Sequence, residues 1–111
     1  MAVYTPKNLI ANKAFGNGSG AISTWSYQAS AVTGIVRTIT VNTPTAARTV
    51  TLQSGVTQAD TTAERFLDAY ALTANVPYIL NFWRVIPASS FLDGFANSTD
   101  INGAADGYEY V

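Results

Sequence analysis

Apolar residues crowd most densely between Asn75 and Pro87, where only Pro77, Asn81 and Arg84 interrupt a run of valine, isoleucine, leucine and aromatic side chains. A run this apolar, rich in β-branched and aromatic residues and closed by a turn-forming Pro87–Ser90, predicts a strand buried on both faces at the centre of a sheet. A helix is disfavoured, because Pro77 would fall in its first turn and the residues after it lose side-chain freedom in helices.

The rest of the chain also reads as strands. Residues 22–29 alternate imperfectly between polar and apolar. In Thr33–Val41, Ile35, Ile39 and Val41 share one face, with Arg37 interrupting, and Val36, Thr38 and Thr40 share the other. Arg48–Ser54 alternates strictly and points Val50 and Leu52 inward. A short loop around Pro44 joins these two runs, which is the pattern of a β-hairpin. Residues 58–72 are ambiguous: Thr61-Thr62-Ala63-Glu64 suits a helix capping box, whereas Phe66, Tyr70 and Leu72 suit one face of a strand. A turn at Thr73-Ala74-Asn75 precedes the apolar run. Beyond it, Phe91–Ala96 predicts a short strand, residues 97–106 a loop, and Gly107–Val111 a final strand.

Residues 1–20 differ. Val3-Tyr4-Thr5-Pro6 offers a short edge strand, Leu9-Ile10 is a lone apolar pair, and Ala14–Gly20 is a glycine-rich turn. This segment predicts an extended N-terminal arm lying on a neighbour, with Val3, Tyr4, Leu9 and Ile10 as the partner contacts. Residues 21–111 predict one all-β domain of seven or eight short strands, an antiparallel β-sandwich of jelly-roll type. No internal repeat is present.

Composition narrows the function. The 111 residues contain neither cysteine nor histidine, which excludes disulfides, thiolate nucleophiles, the usual zinc sites and serine–histidine catalysis. Six basic and seven acidic side chains give a net charge of −1, without the basic excess that a nucleic-acid partner calls for. No apolar stretch is long enough to be a membrane-spanning helix. Met1–Lys7 lacks the pattern of a signal peptide, so synthesis in the cytoplasm is expected. Charged residues make up 12% of the chain, against about 25% in ordinary soluble domains. A folded monomer of this mass exposes about 5,900 Å². So few charges cover that area thinly, which predicts that part of it is buried in an assembly.

Candidate chemistry is sparse. Gly16–Gly20 lacks the preceding strand and following lysine of a phosphate-binding loop. Asp100, Asn102 and Asp106 have the spacing of a calcium loop, but only Glu109 is nearby to complete it. Asp60, Glu64, Asp68, Asp93 and Asp100 form no evident catalytic pair. Asn17-Gly18-Ser19 and Asn97-Ser98-Thr99 match a glycosylation pattern that needs secretion to matter. We therefore assign no catalytic, cofactor-binding or metal-ligating residue. Trp25, Tyr27, Phe82, Trp83, Tyr108 and Tyr110 offer an aromatic platform for a sugar ring, with Trp25, Tyr27 and Trp83 as the stacking candidates and burial in a core or an interface as the alternative role of these aromatics.

From residue 33 onwards, the segments Gly34–Asn42, Ala47–Leu52, Arg65–Asn75, the strand through Trp83, and Gly107–Val111 follow one another. This order resembles that of small structural proteins of tailed bacteriophages. That group comprises β-sandwich proteins of heads and tails, including capsid decoration proteins. Where they often place Gly-Asp before the penultimate strand, this chain has Ala88-Ser89-Ser90, and residues 1–30 have no counterpart. The resemblance implies a strand over 58–72. It also implies a non-enzymatic virion protein made in the host bacterial cytoplasm, most simply a capsid decoration (cement) protein. Its expected partners are copies of itself, with a trimer favoured, and the major capsid protein or other virion proteins. A tail or baseplate component and a carbohydrate-binding β-sandwich module are the alternatives.

Overall fold

The computed structural model describes residues 3–17, 24–42, 44–98 and 100–111. Among these residues nine strands follow one another: β1 (Tyr4–Ala14), β2 (Gly16–Asn17), β3 (Trp25–Gln28), β4 (Thr33–Val41), β5 (Arg48–Gly55), β6 (Arg65–Leu72), β7 (Tyr78–Ile86), β8 (Phe91–Ala96) and β9 (Asn102–Tyr110). Leaving out the two-residue β2, the chain pairs from its ends inward. The first strand lies antiparallel to the last, β3 to β8, β4 to β7, and β5 to β6. The chain is thus one long hairpin, with its tip at residues 56–64, wrapped around itself.

Wrapping puts the pairs alternately into two sheets, ordered β1-β9-β4-β7 and β3-β8-β5-β6, with β2 running parallel to the end of β8. This is the jelly-roll order, and the all-β sandwich expected from the sequence is what forms. Among the described residues there is no α-helix. The shortest dimension of the molecule is 18 Å, which suits two sheets about 10 Å apart with side chains outside them. Phe15, Trp25, Ile39, Leu52, Ile86 and Leu92 fill the space between the sheets. The side between β6 and β7 is closed by aromatic pairs that cross the sheets: Tyr70–Tyr78 at 4.6 Å and Phe66–Phe82 at 5.7 Å between ring centroids.

Several expectations are corrected. The apolar run at residues 75–87 forms β7, which is an edge strand and not a central one. Its residues alternate: Tyr78, Leu80 and Phe82 pack toward the core, while Ile79, Trp83 and Val85 are exposed. Apolar residues on both faces need not mean burial on both faces. The strands β4 and β5 do not form a hairpin, because the connection between them, anchored by the buried Pro44, crosses from one sheet to the other. A bulge at Arg37 shifts β4 by one residue, so that Val36, Ile39 and Val41 face the core while Ile35 is buried outside it. This is the consequence of an extra residue in a strand with period two.

Residues 58–72 follow the strand reading and not the helix: a single 3-10 turn at Thr62–Glu64, without a side-chain cap from Thr61, leads into strand β6. The final strand begins at Asn102, inside the segment read as a loop. Residues 4–14, expected as an arm, are extended but lie along β9 as the edge of the first sheet. Residues Ile22 and Ser23 of the early strand, Gly18–Gly20 of the glycine-rich turn, and Ser19 and Thr99 of the two glycosylation patterns lie outside the described residues.

Candidate functional site

The outer face of the first sheet carries a continuous apolar row. Pro6 on β1 pairs with Tyr108 on β9, Tyr108 with Ile35 on β4, and Ile35 with Val85 on β7. The row therefore spans all four strands on the side away from the core. Alongside it, Tyr4 pairs with Tyr110, and the Tyr4 ring lies 4.8 Å from Tyr110 and 6.4 Å edge-on from Tyr108. Trp83 flanks the other end. The guanidinium of Arg37, on the bulge of β4, sits 5.1 Å from its ring centroid. Tyr4 and Trp83 expose 55% and 56% of their surface, values unusual for side chains that gain so much from burial.

The face has a polar middle, where Thr38 donates a hydrogen bond to Asn81 at 3.0 Å. Ile79 is exposed beyond it. On β7 the sole charge is Arg84, and it is turned inward, 4.1 Å from the Phe66 ring and 2.6 Å from Ser54 Oγ; burial there lowers its pKa. The outer edge of β7 thus lacks the charges that commonly shield exposed strands from pairing.

Of the residues singled out from sequence, the structure brings Tyr4 and Trp83 to this one face, at opposite edges of the sheet. Val3 is exposed beside them and pairs its backbone with Val111. Leu9 and Ile10 are not partner contacts in this structure, because both are buried in the chain's own core. Trp25 and Tyr27 are not available for stacking on a sugar. Trp25 is fully buried against Phe15, with its indole N–H donating to Gly103 O at 2.9 Å. Tyr27 is buried and donates to Glu109 Oε2 at 2.7 Å. Burial, then the Glu109 carboxylate, raises the Tyr27 phenol pKa; the same hydrogen bond and Lys7 lower that of Glu109.

The calcium-like spacing does not converge. Arg48 binds both oxygens of Asp100 at 3.0 Å, while Asp106 lies within β9 opposite Thr38. Among the described residues no three acidic side chains meet where a metal could be held. The row Pro6–Tyr108–Ile35–Val85 escaped the sequence reading, since it depends on the bulge at Arg37 and on β9 starting at Asn102. No protein-family model matches this chain, and neither a curated protein nor a solved structure matches it significantly.

Proposed function

We propose that this chain is a non-enzymatic structural protein that assembles with copies of itself, and with a larger particle, through the outer face of its first sheet. The observation that carries the reading is the apolar row across four strands, bounded by the exposed Tyr4 and Trp83 and bordered by an edge strand without outward charge. Burying such a face removes apolar area from water at about 25 cal/mol per Å². The low charge content supports the same view, since a surface destined for burial carries few charges.

The particle is taken from the resemblance to tailed-phage structural proteins: a virion, with capsid decoration as the role. Jelly rolls serve in viral capsids and also in lectins, so the fold alone supports the virion reading only by analogy. A stable attachment needs about 800 Å² per partner. Co-sedimentation with tailed-phage heads stripped of their decoration protein tests the role. Binding by the native chain and loss of binding by a Trp83→Ser, Val85→Ser variant are expected.

The carbohydrate-binding reading retains Trp83 alone of its three residues, and Arg37 already occupies one of that ring's neighbourhoods. A saturable change in tryptophan fluorescence with any member of a glycan panel, without binding to heads, would replace the assembly reading.

A further inference from the structure

On β8, Leu92 and Ala96 join the core and Gly94 abuts Phe15 and Trp25, so Asp93 points to the outer face of the second sheet. A carboxylate there belongs in water, yet Asp93 is fully buried. What covers it is the tip of the long hairpin, residues 56–64, folded back over the sheet. Asp93 lies in a cross-strand row between Ser26 on β3 and Gln53 on β5. Gln53, also fully buried, ties the cover down. Its amide nitrogen donates to Ala59 O at 2.8 Å and Thr57 O at 3.4 Å, and its oxygen accepts from Thr61 N at 2.9 Å. Gln58 of the cover donates to Ser26 Oγ at 3.3 Å.

Within this well-bonded cover, neither oxygen of Asp93 has a hydrogen-bond partner. Ser26 and Gln53 stand beside it on the neighbouring strands and favour the charged form, but by less than burial disfavours it. The charged groups of the cover are Glu64, whose Oε1 accepts from Thr57 N, and Asp60. The adjoining Arg65 is held by Asp60 at 2.7 Å and Asp68 at 3.0 Å. No ion pair to Asp93 forms among the described residues. An ionised carboxylate in such a place costs more than a neutral one.

We propose that residues 56–64 are a proton-controlled cover: it stays closed while Asp93 is protonated, and ionisation of Asp93 lifts it and admits water to the row Ser26–Asp93–Gln53. Burial, with a smaller contribution from the Glu64 charge, pushes the Asp93 carboxyl up to about 6. The closed form binds the proton more tightly than the open one. Closing is therefore favoured at low pH and weakened as pH rises through that value. The ratio of open to closed changes by at most about 100-fold, the factor by which closing tightens proton binding over an ordinary aspartate. This device is independent of the assembly proposed above.

Amide hydrogen exchange at Thr57 and Thr61, whose N–H groups close the cover, is the test. After correction for intrinsic rates, protection in the native chain should fall about tenfold between pH 5 and pH 8, and Asp93→Asn should abolish the fall. Should Asp93→Asn not fold, Glu64→Gln should move the midpoint to lower pH, because one repelling charge is gone. Unchanged protection in the native chain, an equal fall in Asp93→Asn, or an unmoved midpoint in Glu64→Gln would overturn the proposal.

Discussion

Phe15 and Trp25 stack with ring centroids 4.4 Å apart and planes inclined by 24°, and two glycines make room for the pair. A Cβ on Gly94 would come within 2.5 Å of the Phe15 ring and 2.6 Å of the Trp25 ring, and one on Gly103 within 2.5 Å of Phe15. The stack joins the segment after β1 to β3 in the core between the two sheets. Gly94→Ala or Gly103→Ala should each destabilise the fold by about 1–3 kcal/mol, the usual cost of overpacking a core. Urea unfolding followed by tryptophan fluorescence measures it.

Tyr27 links the inner end of β3 to Glu109 on β9, and Glu109 in turn pairs with Lys7 on β1 at 3.1 Å. Tyr27→Phe keeps the ring that packs against Gly34 and removes the hydrogen bond. The loss should be about 1.5–3 kcal/mol, as expected for a hydrogen bond to a charged acceptor. The pKa of Glu109, held down chiefly by that bond, should rise in the variant, which a carboxylate titration by NMR would show.

Stability should depend on pH in two opposed ways. The Asp93 pKa is raised in the folded state, so its stabilising effect is complete below the ordinary carboxylate range and disappears as pH climbs through about 6. Each tenfold gain in proton affinity on folding is worth about 1.4 kcal/mol, so the fall between pH 4 and pH 8 is about 2–3 kcal/mol if nothing else titrates. Glu109 and Asp100 act the other way: their pKa values are lowered, and the stability they contribute is lost as pH drops through the carboxylate range. Urea denaturation at pH 5, 6, 7 and 8 should show declining stability in the native chain and a flat profile in Asp93→Asn.

Much of the architecture was legible in the sequence, because a jelly roll is written in short alternating strands separated by turns. Val50 and Leu52 face the core as their alternation requires, and Phe91–Ala96 is the strand it suggested. The pairing was not legible. Proximity in sequence suggested that β4 pairs with β5, whereas wrapping the long hairpin separates them into different sheets. Parity in β4 was lost at Arg37, since nothing local distinguishes a bulge from an interrupting charge. The bulge does leave a mark at a distance: the Ile35 carbonyl oxygen stands where a Cβ on Gly107 would go, so only glycine fits there.

The candidate face was legible in pieces. Tyr4 reads as a contact of the N-terminal segment and Trp83 as a sugar-stacking aromatic, and only register shows that they border the same apolar row. Leu9 and Ile10 misled because a lone apolar pair in a polar segment reads equally as a docking contact or as an edge strand's contribution to its own core. The Asp93 site gave no local signal, since its burial comes from a cover that joins other strands.

The central claim is that the outer face of the first sheet is an assembly surface. Its most direct test is the mass of the purified chain by light scattering across a concentration series, alongside the Trp83→Ser, Val85→Ser variant. Both side chains are exposed in the single chain, so the substitutions should cost its stability only about 1–2 kcal/mol, from the Arg37–Trp83 contact and the Ile35–Val85 pair. We predict a discrete oligomer, with a trimer as the expectation, for the native chain, and a folded monomer for the variant. A native chain that stays monomeric at every concentration, or a variant that assembles equally well, would contradict the account.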